Sequence, residues 1–297
     1  MGIWNWGIGF VLGTAVFIYL RGWGQLPQED AHALLPKPWR MATFFAALLL
    51  LVVALLSPLY GLAIRYFSLH VFQRLLLVSL MPCLLISGNP LPVLWAGLPQ
   101  AWLHWLQQWP QVAPRAHHFL LRVTHPVPVW FLFVTTFWLW HDVQIDRWVL
   151  QADWLHRLET ITLLGTAVLY WWHILAASPQ LHAPMPPLWR VGYAALGATP
   201  VKLVGLVLLF ATTAVYNYPA EIQLSNTTLE ITDQSIGAAL IWVMGGLVFT
   251  WTAVLLMRDW LKDEDEKPDL PASIWSTEEL MLAPGFGKSS AYSQPSK

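Results

Sequence analysis

Seven apolar runs govern what this chain can become: residues 3–20, 41–56, 70–87, 119–140, 155–175, 191–216 and 236–257. A run of roughly 17–25 apolar residues is long enough to cross the hydrocarbon core of a bilayer as a helix. With 56% hydrophobic and 11% charged residues, the polar interruptions are too few for the amphipathic helices of a soluble domain. Lipid offers no partner to an open backbone N–H or C=O, so each run must satisfy its own hydrogen bonds as a helix. The alternating pattern of a membrane β-barrel is absent. The expected fold is all-α, a polytopic membrane helix bundle of about seven transmembrane helices over residues 1–260. A cytoplasmic polar tail, 261–297, rich in Ser, Pro and Gly after an acidic run, is expected to be disordered.

The opening Met-Gly-Ile-Trp-Asn-Trp has no basic n-region and no small-residue cleavage site before Arg21, so it reads as a first span rather than a removable signal. The single cysteine, Cys83, excludes an internal disulfide framework and a CxxC motif. Short-loop basic residues orient the bundle. An outer N-terminus puts Arg21, Lys37, Arg40, Arg115, Arg122, Arg190, Arg258, Lys262 and Lys267 inside, and only Arg65, Arg147 and Arg157 outside. The expected location is a bacterial plasma membrane, N-terminus outside and C-terminus cytoplasmic.

That topology gathers ionisable residues at the outer ends of four helices. His70, Gln73 and Arg74 stand at i, i+3 and i+4 on the third run, and His156, Glu159 and Thr160 do so on the fifth. His141-Asp142 closes the fourth, Asp146 follows it, and Asp233-Gln234 opens the seventh. Two readings follow. Neutral imidazoles and carboxylates suit Cu(II) or Zn, with His70, His141 and His156 as ligands supported by Gln73, Arg74, Asp142, Glu159, Asp233 and Gln234. Alternatively the cluster is a structural polar cap in which Arg74 pairs with Glu159 or an Asp.

Other residues carry less. Lys202 falls near mid-span on the sixth run, where a lysine must pair, snorkel or serve a pathway; the sequence leaves its role open. Met81 and Cys83 flank Pro82 and read as packing residues. His173 reads as interfacial, and His117-His118 lacks the repeated boxes of a di-iron site. Trp102, Trp105, Leu106 and Trp109 mark one face of a short interfacial helix over 100–109. No nucleotide-binding, hydrolase-triad or zincin motif appears, so no enzyme is expected.

Leu56-Ser-Pro-Leu, Ser68-Leu-His70-Val-Phe-Gln73, Trp138-Leu-Trp-His141, Leu155-His156-Arg-Leu-Glu159, Asp233-Gln-Ser-Ile-Gly237 and Ile241-Trp242 occur in this order. In order, spacing and helical context they resemble the CtaG-type cytochrome c oxidase assembly factors of the caa-type oxidase branch. The resemblance covers residues 39–260. It implies a seven-helix membrane protein that helps mature or deliver copper to the oxidase through its outer, periplasmic face. The implied partners are cytochrome c oxidase subunits and the lipid bilayer, with no nucleic acid. In the family pattern, second histidines stand where this chain has Arg74 and Thr160. Arg cannot ligate a metal or lose its charge, so an Arg74–Glu159 salt bridge at the former ligand positions is expected. A metal-free scaffold for oxidase subunits, a small-molecule or metal transporter, and a haem protein using two facing imidazoles stay open as alternatives.

Overall fold

The computed structural model describes residues 3–25, 38–219, 223–224 and 231–266. The chain divides into two units, Met1–Met257 and Arg258–Lys297. The first contains α1 (Ile3–Gln25), α2 (Pro38–Leu56), α3 (Pro58–Ala63), α4 (Phe67–Leu75), a π-helical turn (Leu76–Leu80) and α5 (Met81–Ser87). There follow α6 (Pro90–Gly97), α7 (Gln100–Val112), α8 (Pro114–Val123), α9 (Pro126–Trp140), α10 (Val143–Gln151), α11 (Asp153–Leu175) and α12 (Pro187–Leu209). A two-residue antiparallel pair, β1 (Gln223–Leu224) with β2 (Ile231–Thr232), precedes α13 (Asp233–Asp265), whose last turns belong to the second unit. In that second unit Arg258 pairs with Asp259 at the surface. Most of the tail expected to be disordered, from residue 267 on, lies outside the described residues.

Among the described residues six helices are long and apolar enough to cross a membrane, and α8 with α9 makes a seventh if the bent pair is one span. The continuous rod from α4 through α5 is the most enclosed, 67% buried, against 11% for α1, so it forms the axis of the bundle. Around it, Phe133 stacks on Tyr170 at 4.5 Å and Trp171 on Phe249 at 4.7 Å, tying α9, α11 and α13 together. At the edge, α1 and α6 cross in direct backbone contact. A Cβ at Gly22 would strike the Val93 carbonyl, and one at Gly97 the carbonyl of Ile18.

Two spans differ from expectation. The run 119–140 is broken into α8 and α9, bent by 66°. Pro126 and Pro128 explain the break, because His125 is driven to extended backbone, φ −65° and ψ 145°. The run 191–216 forms a helix from Pro187 that ends at Leu209, freeing residues 210–219 to return across the bundle end. The interfacial segment is the helix α7, with no buried residue and Trp102 and Trp105 exposed.

Prolines inside the bundle set its internal bonding. Each removes an N–H and leaves the carbonyl four residues earlier unpaired. Two such carbonyls, and two left open where helices end, accept a side-chain donor from elsewhere in the bundle. Pro82 frees Val78 O, taken by Trp171 Nε1 at 2.9 Å, and Pro200 frees Leu196 O for Trp130 Nε1 at 3.0 Å. Ala54 O, in the last turn of α2 before the extended Ser57, accepts from Gln73 Nε2 at 2.7 Å, and Thr124 O, at the break between α8 and α9, accepts from His173 Nε2 at 2.8 Å. The Trp171 case is the most buried, at 0% exposure. Trp171→Phe is expected to lower the unfolding free energy in detergent by about 1–3 kcal/mol, the cost of an orphaned buried acceptor. Trp251→Phe, on a residue 63% exposed, is the control expected to leave it unchanged. Equal stability of both variants would refute the assignment.

Candidate functional site

Helix α4 starts where Tyr66 leaves extended backbone, φ −123° and ψ 126°. Asp233, the first residue of α13, accepts from the Ser68 N–H at 3.3 Å and from the Ser68 hydroxyl. One carboxylate thus serves the first turns of two helices, where exposed N–H groups favour negative charge. This fixes the height at which the next turn of α4 presents His70 and Arg74. Both are buried, at 1% and 2% exposure.

The ion pair expected between Arg74 and Glu159 is present: Arg74 Nε donates to Glu159 Oε1. Arg74 Nη2 also donates to Asp146 Oδ1 at 2.8 Å. Asp146, on α10, is therefore the second counter-charge. With one guanidinium and two carboxylates, the buried triad carries a net charge of −1. Arg74 Nη1 has no hydrogen-bond partner.

The proton positions follow from the network. The Tyr218 hydroxyl donates to Asp146 Oδ1 at 3.1 Å, so its oxygen accepts from His70 Nδ1–H at 2.6 Å. A neutral His70 then carries its lone pair on Nε2. That atom faces Glu159 Oε2 at 3.4 Å, and neither atom has a hydrogen-bond partner. Two buried lone pairs in opposition are unfavourable until a proton or a metal cation lies between them. His156 completes the group. Its ring stacks on Tyr60 at 4.7 Å and meets His70 edge-on at 5.3 Å. Ligand atoms of His70, His156 and Glu159 all lie within 4.8 Å of one another. Two imidazoles and a carboxylate are a donor set for Cu or Zn.

The remaining candidates sit elsewhere. His141, expected as a third imidazole, is not among these three; its Nδ1 donates to Phe137 O at 2.7 Å and its ring packs on Phe137. Glu159, expected only to support the site, brings the third potential ligand atom. Asp142 is exposed and caps α10 by accepting from Gln144 N and Ile145 N. Gln73 turns to α2, as above. Gln234 Oε1 accepts from Val215 N at 2.6 Å and Tyr216 N at 3.3 Å, anchoring the returning segment. Thr160 donates to His156 O at 2.9 Å. Sequence reasoning missed Tyr60, Tyr216 and Tyr218. Tyr216 stacks on Phe67 at 4.4 Å and donates to His141 O at 2.5 Å. Burial, with the Asp146 carboxylate, holds the Tyr218 hydroxyl well above its ordinary pKa, so it remains a donor.

The model of the family described as cytochrome c oxidase caa3 assembly factor matches residues 17–263. Uncharacterized proteins of Mycobacterium leprae and Mycobacterium bovis are 25% and 24% identical to this chain over 216 residues, 69% of its length. The chain spans only 31% of the length of these curated relatives. No solved structure matches at a significant level.

Two measurements test the geometry. Removing Arg74 strands two buried carboxylates, so Arg74→Met is expected to destabilise by about 3–5 kcal/mol. Combined with Glu159→Gln, it should give a coupling energy of about 2 kcal/mol or more; independent effects would sink the ion pair. His141, just beyond the end of α9, is pushed down to about 3, first by burial and then by the Arg74 charge. Its folded pKa lies below its unfolded one, so stability is complete above about pH 6.5 and falls on acidification towards pH 3. His141→Gln should be shallower than wild type over that range by up to about 1 kcal/mol per pH unit, roughly one proton's worth; equal slopes would refute the assignment.

Proposed function

The chain belongs to the cytochrome c oxidase caa3 assembly factor family, and from that premise we propose that it hands copper to oxidase subunits. The face that does so is the outer, periplasmic one of a bacterial plasma membrane. An assembly-factor family points to a non-catalytic role, and copper here is cargo. The observation that carries the reading is the pair of unpartnered buried atoms, His70 Nε2 and Glu159 Oε2, opposed at 3.4 Å beside His156. His70, His156 and Glu159 would hold the ion. Arg74 occupies the other oxygen of Glu159 and keeps that carboxylate oriented.

A site for cargo must also release it. The Arg74 cation weakens retention of a second positive charge in a medium of low dielectric. Tyr218 fixes the His70 tautomer so that Nε2 is the free ligand atom. The excess of Lys and Arg on the opposite side of the spans supports an outer location for the site. A second reading, a scaffold for oxidase subunits without metal, draws on the two ion pairs that already satisfy most of Arg74.

Full-length protein offered Cu(I) and then mildly chelated should retain close to one equivalent. His70→Ala should lose it, with unchanged elution and helicity. Cells carrying His70→Ala should build oxidase deficient in copper, relieved by added copper. Equal copper in wild type and variant overturns the cargo reading and leaves the scaffold.

A further inference from the structure

Lys202 is half-buried and has no carboxylate partner among the described residues. It stands seven residues before the end of α12 and fifteen after its start. At 1.5 Å per residue those are about 10 Å and about 22 Å of rise. Its side chain crosses to α13 and lies over Gly246, where a Cβ would collide with Lys202 Cε. Gly246 is thirteen residues into α13, about 20 Å below Asp233 at the same rise. The ammonium lies over the Trp242 ring, 5.9 Å away. An intramembrane cation so placed is costly, and a counter-charge at its depth offsets that cost.

The surroundings have the shape of a helix seat. Val243, Leu247, Trp251 and Val254 form a stripe at i, i+4, i+8 and i+11 on α13, each more than half exposed. Lys202 and Gly246 sit in the groove that this stripe borders. Ridges of such a row pack against a second helix running along them. The counter-charge cannot come from a second copy of this chain. In its spans only Asp153, Glu159 and Asp233 are acidic down to Met257. Glu159 and Asp233 are buried and paired, and Asp153 opens α11 at its end. Nor can a lipid headgroup descend to mid-bilayer.

We propose that the Lys202–Gly246 groove docks a transmembrane helix of another membrane protein, one carrying an Asp or Glu at mid-membrane depth that pairs with Lys202. The groove shares no residue with the His70 group, so this docking stands or falls separately from copper binding.

The test places a photoreactive residue at Leu247 of the full chain in its native membranes and maps the cross-linked peptide. The expected product is another protein's membrane helix with a carboxylate at that depth. Its yield should fall at least tenfold in Lys202→Met, persist in Lys202→Arg, and fall again when the partner's carboxylate becomes an amide. Cross-links to lipid alone, to a second copy, or to a helix without such a carboxylate would overturn the proposal, as would a yield indifferent to Lys202→Met. Purified Lys202→Met should have a Tm equal to or above wild type, since it loses an unpaired charge. A lower Tm would make Lys202 a structural residue and equally end the proposal.

Discussion

Within a bilayer no water rescues a backbone carbonyl that has lost its partner, and this constraint organises the bundle. The prolines in its spans would each leave such a carbonyl exposed to hydrocarbon. At Pro82 and Pro200, and at the helix ends near Ala54 and Thr124, a side-chain donor from another part of the bundle closes the gap. Each defect thereby becomes a lateral bond between helices, directional where the surrounding packing is not. Lipid tails are as apolar as the side chains that face them, so apolar packing alone fixes helix rotation weakly. Those carbonyls supply the missing specificity.

Two of these bonds bracket the buried ionic group. Gln73, next to Arg74 on α4, is held by α2, and Trp171 on α11 is held by Val78 in the π turn of the same rod. The π turn re-aims the rod just before Pro82, a common accompaniment of a missing N–H. With α4 fixed from above by Asp233 and from the side by Gln73, Arg74 can meet Glu159 and Asp146 without choosing among rotations. That matters because a buried pair offsets its desolvation only when its geometry is good and its lone pairs are used.

How far the sequence speaks depends on the range of the interaction. Span count and order follow from local hydropathy, and His70, His156 and the Arg74–Glu159 pair follow from helical spacing within single runs. The break at His125-Pro126 was also written locally, as two prolines in three residues, but hydropathy alone ran through it. Asp146 was placed in the outer cluster but not singled out as the partner of Arg74, and Tyr218 was missed, for a different reason. Their roles depend on α10 and on residues 210–219 folding back over the bundle end, and apolar periodicity extended the sixth run to Tyr216. His141 shows the converse. Its position at a helix end suggested a place beside His70 and His156, yet the structure groups those two with Glu159, while His141 holds Phe137 O in its own turn.

The charge of the group decides what it can accept. Arg74 with Glu159 and Asp146 leaves −1, and the imidazoles are neutral when they act as ligands. A monovalent cation between His70 Nε2 and Glu159 Oε2 would bring the enclosed charge to zero, while a divalent one would leave +1 in a low-dielectric interior. Without the guanidinium the same carboxylates would hold −2 and would favour the divalent ion. The permanent cation therefore does more than lock two helices together. On the cargo reading proposed above, it would favour a singly charged ion such as Cu(I), which can enter and leave without stranding charge.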